Sequence, residues 1–267
     1  MTAIHPSAVI DADVELGQDV EIGPFCVIGP GVRIGARTRI ASHVVIEGPS
    51  EVGADCVIHS GAVLGGAPQH AAYANERTSL RVGDRSIVRE HVTLHRGTAQ
   101  GRGVTQIGAD AYLMAGAHVG HDCVLGDHVT MANGAVLGGH VQVGDFVIVG
   151  GLAAVHQRAR IGRHAFVGGM AGINHDLIPY GSAWGNHAHL EGLNLVGLKR
   201  RGLPRERINA LRAGFKCLFW SDGPFEQRVE ATAAGHAGSP EVMEIIEFIR
   251  GPSARPITMP RGEPREV

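Results

Sequence analysis

The chain has 267 residues, a formal net charge of −2, 39 glycines and only 4% aromatics. So little Phe, Tyr and Trp excludes a broad aromatic-filled core and leaves a narrow, repetitive one. The near-neutral balance excludes an overall basic field for nucleic acid, so any electrostatic partner must meet a local patch.

Met1 to Val20 shows no basic segment followed by an apolar stretch, so no signal peptide is expected. No apolar run reaches the length of a membrane span, and stable membrane insertion is not expected. From Ile4 the sequence repeats with a period of six: Ile4, Ile10, Leu16, Ile22, Ile28, Ile34, Ile40, Ile46, Val52, Ile58 and Leu64. The register resumes at Val82, Val88 and Leu94, then runs unbroken from Ile107 to Ile173. Neither the helical spacing near 3.6 nor simple alternation fits this period. A short strand, a tight turn and another short strand do fit it, with the aliphatic residue always inward. Three such faces close a triangular coil, and coils stack at parallel-strand spacing. The expected fold is thus mainly β, a parallel β-helix of hexapeptide repeats over residues 1–190. Cys26, Cys56 and Cys123 share one small inward position of the repeat, so they read as core residues of a cytoplasmic protein.

Two segments break register, 66–80 and 97–106, and are expected to loop out of the prism as carriers of function. The repeat ends at Pro179. Residues 191–267 are expected to form a C-terminal helical domain, with helices over Pro204–Trp220, Pro224–Ala234 and Pro240–Arg250. The tail from Gly251, rich in Pro and charge, is expected to be loosely held.

The histidines are the chemical signal. One coil above His121 lies Gly139, and one further lies Gln157, with His140 and His156 flanking that line and His118 one turn away. Read as chemistry, His121 is a general base oriented by Asp122, and Gly139 offers a backbone N–H to an oxyanion. Read blandly, the strip is a polar subunit interface of a noncatalytic trimer. A third reading is a three-histidine zinc site of a hydratase. The residues alone leave all three open. Lys199, Arg200, Arg201, Arg205, Arg207, Arg212 and Lys216 form a local basic patch.

The stretches AHVGHDC at 117–123, MANGAVLGGHVQVGDF at 131–146 and GGLAAVHQ at 150–157 are the most specific motifs. With HRGT at 95–98, GNHA at 185–188 and GLKRRG at 197–202, they closely resemble the bacterial UDP-N-acetylglucosamine acyltransferase family over nearly the whole chain. The resemblance implies a left-handed β-helix, a homotrimer with three intersubunit clefts, and no cofactor or metal. It implies transfer of an (R)-3-hydroxyacyl group from acyl carrier protein to the sugar 3-position, opening lipid A biosynthesis. By the same resemblance His121, Asp122 and Gly139 are catalytic. His118, His140, His156, Gln157, Gln69, His70 and His187 contact substrate, Asn194 and Arg200 lie near the nucleotide, and the basic patch docks the acidic carrier protein. Gly169 matches a position that limits the acyl channel, and a glycine there leaves room for a chain of about twelve to sixteen carbons. The pattern departs at His70, Ala72 and Val196, where Asp, Lys and Glu are expected. That departure brings in a 3-amino sugar nucleotide, acylated to an amide, as the alternative acceptor.

Overall fold

The computed structural model describes residues 2–262. Strands of mostly two residues, such as Glu21–Ile22 and Val27–Ile28, recur along the chain and pair in parallel with the strand one coil away. They build an 11-stranded, a 9-stranded and an 8-stranded sheet, the three faces of a left-handed β-helix. The hexad aliphatics point inward as expected: Ile28, Ile46, Leu64, Leu94, Leu113 and Leu137 are at most 1% exposed. Fully burying such a side chain contributes roughly 1.5–3 kcal/mol. Cys26, Cys56 and Cys123 are free thiols buried in the same core. Only the first coil departs. Ile4 is 46% exposed although its position is inward, because no coil stacks beneath it.

The three faces differ in what they show outward. Along the 8-stranded sheet the register aligns Glu15, Arg33, Glu51 and Arg81 into a ladder of alternating charge. Along the 9-stranded sheet it aligns Val9, Val27, Val45 and Val63, then Thr93, His118, Val136 and Ala154.

The register breaks fall between Val63–Gly66 and Ser79–Val82, and between Thr93–His95 and Val104–Ile107. Beyond the last coil, Gly181–Trp184 joins the 11-stranded sheet and pairs antiparallel with His189–Leu193, a hairpin that the hexad period does not foretell. Helices α1 (Leu195–Arg200), α2 (Arg205–Trp220), α3 (Phe225–Gly235) and α4 (Pro240–Arg250) follow. The last three sit where the sequence places them. Short α1 lacks enough turns to show a period and was not expected.

Over residues 251–262 the tail corrects its expectation, and residues 263–267 lie outside the described residues. Ser253 Oγ donates to Asp176 Oδ2 (2.6 Å), and Asp176 exchanges backbone bonds with Pro256 and Thr258. Asp176 is fully buried and also accepts from the Arg160 guanidinium. One buried carboxylate therefore ties the segment after α4 back onto the β-helix.

Candidate active site

After the strand His118–Val119 the chain turns a corner through Gly120, His121 and Asp122. One coil on, the same corner holds Gly138, Gly139 and His140; on the next it holds His156, Gln157 and Arg158. Bonds from His140 N to His121 O (2.9 Å) and from Arg158 N to Gly139 O (3.0 Å) stitch the corners together. Asp122, His140 and Arg158 each take the left-handed conformation, φ near 60°. Asp and His tolerate that region better than most side chains.

Asp122 is the buried centre. Its carboxylate accepts from Thr98 N and Oγ1, Arg102 N, Gly103 N and His121 Nδ1, the last at 2.8 Å. Burial pulls this carboxyl up, but the donors from Thr98 and His121 outweigh it and hold it below the usual carboxylate value. The segment 97–106, expected to loop outward, instead wraps Asp122. A carboxylate only accepts, so His121 Nδ1 carries the proton and Nε2 is left free as a base.

That Nε2 lies over Gly139, where a Cβ would stand 2.6 Å from both Nε2 and Cε1 of His121. The His140 ring meets His121 edge-on at 5.0 Å, and His70 meets it from the other loop at 5.3 Å. His118 accepts from or donates to Thr93 Oγ1 at 2.7 Å and packs edge-on against His95. Burial holds His118 and His140 below the ordinary imidazole value. It pushes His95 down to about 4, with the charges of His118 and His121 adding to the effect.

His121, Asp122 and His140 place three possible ligand atoms within 4.8 Å of one another. Asp122 already takes five donors, however, and these occupy the carboxylate lone pairs that a cation would need. A thiol nucleophile has no support either, since burial pushes Cys123 up to about 12.

The other sequence candidates are more scattered. His156 and Gln157 continue the corner strip, exposed. Gln69 lies beside His70 on the segment 67–78, which Arg96 pins by donating to Tyr73 Oη (2.9 Å) and Gly65 O (2.7 Å). Gly169 is exposed, and a Cβ there would meet Gly151 O at 3.4 Å, with the 73%-exposed Met170 next to it. His187 is exposed in the hairpin turn. Asn194 caps α1, accepting from Gly197 N and donating to His164 O. With Arg200, Trp184 and Phe166 it lines a groove of about 560 Å³. Lys199, Arg200, Arg205, Arg212 and Lys216 are exposed and form no ion pair among the described residues. Arg201 instead stacks on Phe146 at 4.9 Å, and Arg207 pairs with Glu241. Sequence reasoning missed His95, Thr98 and Arg102. The HRGT motif contains His95 and Thr98, but nothing in a linear motif says that Thr98 closes on Asp122 or that His95 packs on His118.

Residues 176–258 match the family model described as domain 2 of UDP N-acetylglucosamine O-acyltransferase. Residues 13–48, 31–66 and 105–139 match the bacterial transferase hexapeptide of six repeats. An acyl-[acyl-carrier-protein]–UDP-N-acetylglucosamine O-acyltransferase from Caulobacter vibrioides is 57% identical, over 98% of this chain and 99% of its own length. Its namesake from Halorhodospira halophila is 46% identical over 93% and 96%. The crystal structure of UDP-N-acetylglucosamine O-acyltransferase from Moraxella catarrhalis superposes with a TM-score of 0.92 at 35% identity, covering 96% of this chain and 99% of that one.

Proposed function

Because this chain belongs to the UDP-N-acetylglucosamine O-acyltransferase family, it is an acyltransferase, and we propose the roles of its residues as follows. The chain transfers an (R)-3-hydroxyacyl group from acyl carrier protein to the 3-position of UDP-N-acetylglucosamine, the first step of lipid A biosynthesis. The observation that carries the mechanism is the His121–Asp122 pair with Nε2 lying over Gly139. A sugar hydroxyl is a poor nucleophile, so His121 Nε2 removes its proton as the oxygen attacks the thioester carbonyl. Asp122 stabilises the imidazolium that results, and the Gly139 N–H meets the developing oxyanion. The thiolate of the carrier arm then leaves, taking the proton from His121. A thioester has a good leaving group, so no covalent acyl-enzyme is required.

His70, His118, His140, His156 and Gln157 bind substrate along the strip, and the groove beside Asn194 and Arg200 receives the nucleotide. Exposed Lys199, Arg200, Arg205, Arg212 and Lys216 dock the acidic carrier protein. The apolar outward ladder of the 9-stranded sheet supports a homotrimer. Among the described residues no helix is long and apolar enough to cross a membrane.

The test is acyl transfer from a long-chain 3-hydroxyacyl carrier protein, with the 3-hydroxy and 3-amino sugar nucleotides offered separately. His121→Ala is expected to lower kcat by about 10²-fold or more. Faster turnover of the 3-amino acceptor would replace the ester assignment with an amide, and a fully active His121→Ala would remove the general base.

A further inference from the structure

The segment after α4 returns to the corner strip and delivers one side chain to it. Arg255 Nη2 lies 2.5 Å from His156 Nδ1, and Arg255 Nε donates to Gln157 O at 3.2 Å. The arm that holds Arg255 is built into the fold. Ser253 Oγ accepts from Arg255 N and donates to buried Asp176, while the flanking residues bond backbone to backbone with Asp176. Thr258, 2% exposed, and Met259 O, which accepts from Leu190 N, close the arm beyond Arg255.

A guanidinium has donors and no acceptor, so the contact fixes which way the proton runs. His156 Nδ1 must accept from Arg255, and the ring hydrogen then sits on Nε2. His156 Nδ1 also lies 3.2 Å from Gln157 O. Without Arg255 that carbonyl would draw a proton to Nδ1 and reverse the tautomer. With Arg255 in place, one guanidinium satisfies both acceptors, and neither competes for the ring proton.

We infer that Arg255 is a positioning residue: it holds His156 as the Nε2–H tautomer, so that the ring presents a hydrogen-bond donor to a substrate oxygen two coils above His121. This rests on the reading of the corner strip as the substrate cleft. His156 is then a binding donor and His121 the base, a division of labour between two histidines that the sequence spacing does not reveal. The opposite tautomers follow from opposite partners, a carboxylate on Nδ1 of His121 and a guanidinium on Nδ1 of His156.

The test uses the full chain with ¹⁵N-labelled histidine, the His156 signals being assigned by their loss in His156→Gln. In the wild type His156 is expected to show an acceptor-type Nδ1 and a protonated Nε2. Arg255→Gln is expected to shift that pattern toward tautomer exchange. In the transfer assay it should raise KM about tenfold for one substrate, with kcat within about twofold. Arg255→Lys, which keeps a cationic donor without the guanidinium fork, should restore part of both. An Nδ1–H tautomer in the wild type overturns the inference, as does a change in Arg255→Gln confined to only one of the two readouts. If the wild type transfers no acyl group, the cleft reading fails, while the tautomer assignment is still decided in the free protein.

Discussion

Gly139 carries no Cβ, and the His121 ring occupies the space where one would stand. The atoms it would meet are the far end of a side chain, so an alanine there can be accommodated by swinging the imidazole away. Stability then changes little, but in the proposed mechanism Nε2 leaves the line along which it takes the hydroxyl proton. Gly139→Ala is therefore expected to melt within a few degrees of wild type while losing about 10²-fold in kcat. Wild-type activity in that variant would show that Nε2 need not sit over the glycine. His95 makes a second prediction at this scale. Its folded value is pushed to about 4, against 6.5 for the free side chain. Between those limits the unfolded chain binds a proton that the folded chain refuses, so stability must fall as pH drops from 6.5 towards 4. His95→Gln should flatten that part of a urea-midpoint profile against pH. An unchanged slope would mean that His95 titrates alike in both states.

At the scale of the element, the segment 97–106 owes its path to one carboxylate. Thr98 supplies both a backbone N–H and a hydroxyl at 2.6 Å to Asp122, and Thr98 itself is 2% exposed. Thr98→Val keeps the shape and removes the hydroxyl. The loss of a charge-assisted bond to a buried acceptor is expected to cost about 1.5–3 kcal/mol in stability, and kcat should fall as His121 loses a fixed partner. A variant matching wild type in both would make the segment a passive connection. The hexad period made the strands legible, because each inward aliphatic meets its equivalent one coil away and the pattern needs no long-range information. The corner residues His121, Gly139 and His140 were legible for the same reason. What the period cannot carry is contact between segments outside it. Thr98 and Arg102 reach Asp122, and Arg255 reaches His156, through turns with no repeat and no helical spacing. The tail resembled a loose terminus because Pro and charge suggest one, yet buried Asp176 gives its backbone a place to bond.

For the whole molecule the decisive fact is that the prism has unlike faces. On the 8-stranded sheet Glu15, Arg33, Glu51 and Arg81 pair at 3.1 to 4.0 Å, largely exposed, which suits a surface that stays in water. Such exposed pairs stabilise little, so their value lies in keeping this face unattractive to a partner. On the 9-stranded sheet Val9 is 64%, Val27 45% and Val136 39% exposed in the isolated chain. The outward row Val9, Val27, Val45 and Val63 is a contiguous apolar patch, and beyond Thr93 and His118 the same face continues with Val136. In the proposed trimer, association through that face would remove these valines from water and wall the corner strip that begins just beyond it. Val136→Lys places a charge on that face, one coil from His118 but outside the corner strip. It is expected to dissociate the proposed trimer, measured by light scattering after size exclusion, and to lower activity in proportion. Gln142→Lys, on the charged face of the same coil, should change neither. A Val136→Lys protein that stayed trimeric would put the interface elsewhere; one that became monomeric with full activity would mean that each prism holds a complete site by itself.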